Sequence, residues 1–337
     1  MSTRLILGLQ YMVHGLRQLG EHPDDVLRRF GLDLDAMAPG AQIDRALEML
    51  VHMAIAEQLK DPLAGLVTGT YFGFAGYGPF TMLLATCSTA FEAVQMGVQY
   101  QRLSYLFGQL SFQPGQSLSA LSIHPVHLPE KAYHYRIDSE ISGTCKLLRE
   151  FQETMHFPPI LERVDFPYPE PPASLRPRYQ ACVAVPVSFG AEQGRLWLNN
   201  EVLQRRLPTS DPRAHALYRT LCDEALRQQE QDDAHLPGRI EQFLGMFRRQ
   251  YPDAAQVAQA FALSERGLRH RLRQHQTSFR ALRDQVRMQR AEHLLSQDTM
   301  TIERAAEELG YADAPSFVHA FTRLRGMSPA RWRRTLL

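Results

Sequence analysis

Residues 301–325 read TIERAAEELGYADAPSFVHAFTRLR, and this stretch decides the fold of the C-terminal third of the chain. Ile302, Ala305, Ala306 and Leu309 recur at the 3.6-residue period of a helix, with Thr301 placed to cap it. Gly310 ends that helix and Tyr311 sits in the turn. Asp313 caps the next helix, from which Phe317 and Phe321 face inward. Upstream, residues 253–275 read DAAQVAQAFALSERGLRHRLRQH and repeat the plan. Ala254, Val257, Ala258 and Phe261 form the stripe behind a Pro252-Asp253 start. Leu263 occupies the turn, Ser264 caps, and Leu268 and Leu272 point inward. Counted from Ala258, the apolar offsets are +3, +5, +10 and +14. Counted from Ala306 they are +3, +5, +11 and +15, so one residue is inserted in the second turn.

Two short helices, a tight turn and a small residue at the crossing predict a helix-turn-helix, here twice, over about 253–275 and 301–325. Ala258 and Ala306 let the second helix pack close, which frees its outer face for a DNA major groove about 12 Å wide. A helical hairpin buried in a core would carry the same stripe. The outer face of the first second-helix argues against that: it is Arg266, Arg269, His270 and Arg273, with Arg271 beside them. The one acid, Glu265, stands near the helix N-terminus, where the helix dipole favours it.

The charge is divided along the chain. From Arg239 onward stand 17 arginines and 10 acidic residues, a net +7, whereas residues 1–238 carry 20 basic and 26 acidic groups, a net −6. The total of +1 over 337 residues therefore hides an acidic part and a basic part, and the basic part suits a polyanion. Only three cations are lysine (Lys60, Lys131 and Lys146). Codon bias explains that preference most simply, although arginine's planar fork also reads phosphate and guanine better.

Length and composition fit two folded domains. No stretch approaches 18 apolar residues and no secretory leader is read, so no membrane association is expected. Cys87, Cys145, Cys182 and Cys222 form no C-x-x-C, which excludes a zinc ribbon, a redox dithiol and a disulfide scaffold and points to a reducing cytoplasm. Residues 1–110 read as helical. A helix starts at Pro23-Asp24-Asp25, an apolar stripe runs from Ala46 to Ile55, a glycine cluster spans Gly69 to Gly78, and Thr89 caps a further helix. A strand over Leu118–Ile123 and a long helix over Glu130–Thr154 follow. Val183, Val185, Val187 and Phe189 alternate as an edge strand, marked by Pro186, expected to pair with Leu196-Trp197-Leu198 across a turn at 190–194. The proline-dense segment 158–177 reads as an extended surface connection. The expected organisation is an α+β domain over 1–227, a polar linker over 228–238 ending in Pro237-Gly238, and an all-α domain over 239–337.

The segment from about Val257 to Arg333 resembles the AraC/XylS family of bacterial transcription regulators. The resemblance rests on Ile302, Ala305-Ala306, Leu309-Gly310-Tyr311, Ser316-Phe317, Ala320-Phe321, Arg325-Gly326, Ser328-Pro329 and Trp332-Arg333. It covers about 100 residues, nearly the whole basic part. It implies two helix-turn-helix units joined by a long helix over about Phe279–Ser296, with the two recognition helices in successive major-groove segments. The positions it matches to base-facing ones are Arg266, Arg269, His270 and Arg273 in the first unit, and Ala314, Ser316, His319 and Thr322 in the second. Arg271, Arg280, Arg323 and Arg325 are candidate phosphate contacts, each equally readable as a solvated surface arginine. His319 stands where many relatives carry arginine, and Pro315 is a further departure, so the second unit is expected to lean on DNA shape and phosphate.

The N-terminal part resembles the arabinose-binding-like, dimerising domain of one branch of that family. The matching residues are Gly73-Phe74-Ala75-Gly76-Tyr77-Gly78, Thr89 to Val94, Tyr100, Val185 to Phe189, Leu196, Leu198 and Leu203. The resemblance implies a sensing or dimerising domain, a homodimer, promoter DNA and RNA polymerase as partners, and activation rather than repression.

Other sites are weaker. His124, His127 and His134 lack the carboxylates or cysteines at fixed spacing that a metal centre uses, so no metal or other cofactor is expected. Gly73 to Pro79 lacks the G-x-x-x-x-G-K of a phosphate cradle. No G-x-S-x-G occurs and no catalytic triad assembles by spacing, so no enzyme is expected. An effector pocket near Tyr77, Tyr133, His134 and Arg136 competes with plain helix surface, the commoner arrangement, and effector-binding residues are left unassigned. The sequence-level reading is a cytoplasmic, effector-responsive DNA-binding activator. Its alternatives are control by a protein partner or by abundance, and an enzyme tethered to DNA.

Overall fold

Alternating residues between Gln109 and Asn199 build a five-stranded sheet that anchors the N-terminal part of the chain. The computed structural model describes residues 3–38, 40–126, 128–234, 236–245, 247, 251–261, 263–296 and 300–334. The chain divides into two compact units, residues 3–43 with 48–230, and residues 231–337 with the short segment 44–47.

In the first unit β1 (Thr3–Leu5) and β2 (Gln42–Asp44) form a small two-stranded sheet. The helices α1 (Leu7–Gln18), α2 (Asp24–Arg29), α3 (Arg45–Ala56), α4 (Ala64–Gly69), α5 (Pro79–Ala85) and α6 (Ala90–Gln99) precede the main sheet. A single 3₁₀ turn, Phe74–Tyr77, occupies the glycine cluster. Thr89 caps α6 by accepting the Glu92 N–H at 3.2 Å.

The strands β3 (Gln109–Gln113), β4 (Leu118–His124), β5 (Leu161–Asp165), β6 (Val187–Ser188) and β7 (Gly194–Asn199) lie in the order β3-β4-β7-β5-β6. All neighbours are antiparallel except β5 and β6. Leu121 and Leu196 are register partners, both buried, and share one core with Ile137 and Ile141 of α7 (Glu130–Thr154). On the other side of α7, α4 comes close enough for its glycines to matter. A Cβ on Gly65 would stand 2.2 Å from the Tyr135 carbonyl, and one on Gly69 2.0 Å from Ser142 Oγ. Held between a helix and the sheet, α7 buries polar residues as well as apolar ones, including Arg136, Asp138 and Glu140. The Asp138 carboxyl accepts from the Tyr168 hydroxyl, and burial pushes its pKa up to about 7. The unit ends with α8 (Arg176–Val183), α9 (Asn200–Leu203) and α10 (Pro212–Ala234).

Three expectations change. The alternation from Val183 to Phe189 yields only β6, because Val183 closes α8 and Ala184 turns the chain at φ +61°. This strand lies at the sheet edge but does not pair with β7, since β5 lies between them. The first part of the proline-dense segment therefore carries a sheet strand, followed by the buried Phe166 and Tyr168, and only residues 169–175 run as an exposed connection. The stretch 228–238, read as linker, is helical over its described residues through the end of α10 and the start of α11 (Leu236–Gly245).

The C-terminal unit is all helix: α11, then α12 (Ala254–Ala260), α13 (Glu265–Gln274), α14 (Phe279–Leu295), α15 (Ile302–Glu308), α16 (Ala314–Arg325) and α17 (Pro329–Arg334). Leu282 and Val286 are buried on the first half of α14, which packs on α11. Met288, Ala291, Leu294 and Leu295 on its second half join Ala305, Ala306, Leu309, Phe317 and Phe321 in one core.

Candidate nucleic-acid interface

The helix pairs α12–α13 and α15–α16 are built by the same local devices. Asp253 caps α12 through a reciprocal capping box with Gln256, and Thr301 caps α15. Between the helices, the Leu263 N–H donates to the Ala258 carbonyl at 2.8 Å, and the Tyr311 N–H to the Ala306 carbonyl at 3.0 Å. The two bonds join the same pair of positions in each copy. Gly310 takes φ +69°, the left-handed conformation that glycine adopts without steric cost. The second helices start at Ser264 and Asp313, which accept the N–H groups of Gly267 at 3.0 Å and Ser316 at 2.7 Å. The Ser316 hydroxyl also donates to Asp313, and these bonds hold the carboxyl below its ordinary pKa.

Inward faces are filled. Leu268 and Leu272 are buried on α13, and Phe317 and Phe321 on α16. Phe317 lies between Tyr311 and Phe321, at centroid distances of 5.5 Å and 5.8 Å, and Phe321 meets Trp332 at 6.1 Å. The outward face of α13 is cationic. Arg266, Arg269, His270 and Arg273 stand at i, i+3, i+4 and i+7, and all are exposed, as is Arg271. Arg269 bonds Glu265 one turn back, and His270 contacts Gln274 at 3.3 Å.

The second face is different. Ser316, His319 and Thr322 are exposed on α16, whereas Ala314 is half-buried and packs against the core. Arg323 and Arg325, read as phosphate contacts, reach back to α14 instead. Arg323 pairs with Asp284 at 3.0 Å and Arg325 with Glu292 at 2.6 Å. Arg280 is exposed at the start of α14. The structure thus brings the cationic positions of α13 onto one open face and gives α16 a largely neutral one.

Other arginines of this unit hold the fold, which the sequence reading did not anticipate. Arg287 on α14 donates to the Leu309 carbonyl at 3.2 Å and 2.8 Å, and its guanidinium lies 3.8 Å over the Tyr311 ring. It therefore satisfies an orphan carbonyl at the end of α15 and clamps the second turn. Arg333 does the same at the end of α14, donating to the carbonyls of Leu295 and Met300. Arg290 donates to the Phe247 carbonyl at 3.2 Å.

The N-terminal unit holds a cavity of about 80 Å³ bounded by α5, α6, α7 and the sheet. Its wall is mostly apolar, with Phe80, Leu84, Val94, Leu148 and Phe151 among the lining residues. Of the four residues considered for an effector, only Tyr77 lines it. Arg136 lies one layer behind, paired at 2.9 Å with the wall residue Glu140. His134 lies tilted against Tyr168 with ring centroids 4.9 Å apart, and Tyr133 packs against the core. Close by, Arg4 pairs with the buried Glu48, and both Arg4 and Arg136 lie over the Phe107 ring. Burial raises the Glu48 pKa, but the Arg4 guanidinium bonded to it prevails, and the carboxyl is held at about 2. Among the described residues no three metal-ligating side chains come together. His124 bonds Ser111 at 2.7 Å, and His127 lies outside the described residues. No helix of the described residues is long and apolar enough to cross a membrane.

Residues 20–207 match the family model described as the arabinose-binding domain of AraC transcription regulator, N-terminal, and residues 257–335 match a helix-turn-helix domain. An uncharacterized HTH-type transcriptional regulator of Mycobacterium tuberculosis is 23% identical over 287 residues, which cover 84% of this chain and 82% of the relative. The HTH-type transcriptional regulator VqsM of Pseudomonas aeruginosa is 24% identical over 275 residues, 80% of this chain and 83% of VqsM. Among solved structures, the transcriptional regulator CdpR from Pseudomonas aeruginosa matches with a TM-score of 0.46 and 24% identity, over 93% of this chain and 96% of that one.

Proposed function

The chain belongs to the AraC family of transcription regulators and is a DNA-binding regulator, and from that premise we propose that it grips promoter DNA with both helix pairs, each acting as a helix-turn-helix unit. The observation that carries this reading is the exposed face of α13, cationic at every turn with its one acid at the N-terminal end. Arg266, Arg269, His270 and Arg273 read base edges in one major-groove segment. Ser316, His319 and Thr322 face the next, where a neutral surface reads shape more than charge. Arg271 and Arg280 contact phosphate. Arg323 and Arg325 do so only by leaving Asp284 and Glu292, which makes them the weaker candidates.

A gel-shift series on the upstream promoter across salt concentrations tests this. Specific affinity falls steeply with salt, and Arg271→Gln or Arg280→Gln each lowers the log–log slope by about 1 while leaving sequence preference unchanged. A slope that neither change moves removes both from the interface.

The domain boundary lies within 228–238, and the N-terminal unit senses a small molecule and dimerises. The chain acts in the bacterial cytoplasm as an activator in contact with RNA polymerase, without catalysing a reaction. For the dimer, α10 offers Leu217 and Leu221, 57% and 40% exposed, flanked by the exposed Arg213 and Glu224. Antiparallel pairing about a two-fold axis places Leu217 opposite Leu221 of a second copy and Arg213 beside its Glu224, so the face is self-complementary. Sedimentation equilibrium is expected to read about twice 38.4 kDa for the chain and the single mass for the double variant Leu217→Arg, Leu221→Arg. An unchanged mass places the dimer contact elsewhere.

A further inference from the structure

The cavity of the N-terminal unit says what kind of molecule fits it. A sugar site needs several free polar groups converging on the ligand, because each buried hydroxyl left without a partner is costly. Here most polar wall groups are already engaged by the protein. The Tyr105 hydroxyl donates to the Gly76 carbonyl at 2.6 Å, Ser104 to Gln101 at 2.5 Å, and Thr144 to Glu140 at 2.7 Å. Glu140 accepts from the N–H groups of Phe107 and Gly108 and from Arg136.

A second observation is the glycine at position 97. It lies in the last turn of α6 without the positive φ that would call for glycine, in a helix where glycine is less favourable than most residues. It lines the cavity, and a Cβ built on it meets nothing within 4 Å. Neither a turn nor a close backbone contact requires glycine there; what its absence of a side chain preserves is open space.

We propose that this cavity binds a small apolar molecule, a short hydrocarbon chain or ring bearing a neutral hydroxyl, and not a sugar. The proposal rests on the reading of the N-terminal unit as the sensing domain. The cavity is partly open to solvent, so its volume of about 80 Å³ limits how much of the ligand's apolar part is enclosed rather than the ligand's length. Glu140 Oε1 is taken up by the protein, but Oε2 receives only the Gly108 N–H at 3.2 Å and accepts from one ligand hydroxyl, whereas a carboxylate meets no cation among the lining residues.

The test uses the full chain with 1-hexanol, hexanoate and L-arabinose as probes, read by saturation-transfer NMR and by thermal melting. Hexanol is expected to bind saturably, hexanoate at least tenfold more weakly, and arabinose not at the same concentrations. Gly97→Leu is expected to lower hexanol affinity at least tenfold with a melting temperature equal to or above that of the parent. Should the leucine variant melt early, Gly97→Ala makes the smaller intrusion, with a loss of about two- to threefold expected. Saturable arabinose binding, no saturable hexanol binding, equal binding of hexanol and hexanoate, or hexanol binding unchanged in a folded Gly97 variant overturns the proposal. Promoter binding by the same preparations without probe reads the regulator assignment separately.

Discussion

Replacing Phe317 with alanine is expected to remove about 3–5 kcal/mol from the C-terminal unit, the range for deleting a large buried aromatic. Phe317 is fully buried and sits in a row of rings that runs from Tyr311 through Phe321 to Trp332. Removing it deletes contacts on both sides and leaves a hole that Ala305 and Ala306, already small, cannot fill. Domains are stable by only about 5–15 kcal/mol, so the loss is a large part of the whole. The effect should concentrate in α15–α17, because the buried residues of α12 and α13 lie outside this cluster. Urea denaturation followed by tryptophan fluorescence reads it through Trp332, which packs against the same core. Phe317→Leu should lose much less. A loss under about 1 kcal/mol for the alanine variant would show that the second helix pair does not depend on this row.

The second large effect concerns recognition. Arg273→Ala is expected to weaken specific DNA binding by about 1–3 kcal/mol, roughly 5- to 150-fold, with relaxed preference at one base position. Arg273 is exposed and stands on the same face as Arg266, Arg269 and His270. Arg269 starts from a different state, because it bonds Glu265 in the free chain. An exposed i,i+4 pair is worth little, so exchanging Glu265 for a base edge costs about 0.3–0.5 kcal/mol, and Arg269→Ala should fall slightly short of Arg273→Ala. By the same logic Arg323→Ala changes DNA affinity less than either, since its guanidinium is bound to Asp284. A gel-shift titration on one promoter fragment orders the three. Equal affinities for the parent chain and Arg273→Ala would remove α13 from the reading face.

Much of the C-terminal unit was legible because its signals are local. Ser264, Asp313, Thr301 and Asp253 each cap the helix that follows, and a cap is decided by three neighbouring residues. The +3 and +5 offsets from Ala258 and Ala306 correspond to the same turn bond in both copies. What escaped depends on partners distant in sequence. Arg287 meets Leu309 22 positions away, and Arg333 meets Leu295 at a separation of 38. Nothing in the pattern distinguishes these arginines from DNA-facing ones. The pairs of Arg323 with Asp284 and Arg325 with Glu292 escaped for the same reason, since both acids lie on another helix. In the N-terminal unit β4, β6 and β7 were visible, but β3 was not read and β5 lay hidden in a proline-dense segment, so the strand order β3-β4-β7-β5-β6 could not be read. The helicity of the described residues in 228–238 was not legible either, because a run of Gln, Glu and Asp reads alike as solvated linker and as exposed helix. The cavity had no sequence signal beyond Gly97, whose meaning appears only once α6 is packed.

The central claim is that both helix pairs contact DNA. A DNase I footprint of the full chain on its promoter, compared with Arg273→Ala and His319→Ala, tests it most directly. Two protected segments about one helical turn, roughly 10 base pairs, apart on one face of the duplex are expected. Arg273→Ala should release one segment first and His319→Ala the other. A single protected segment, weakened by Arg273→Ala and indifferent to His319→Ala, would contradict it.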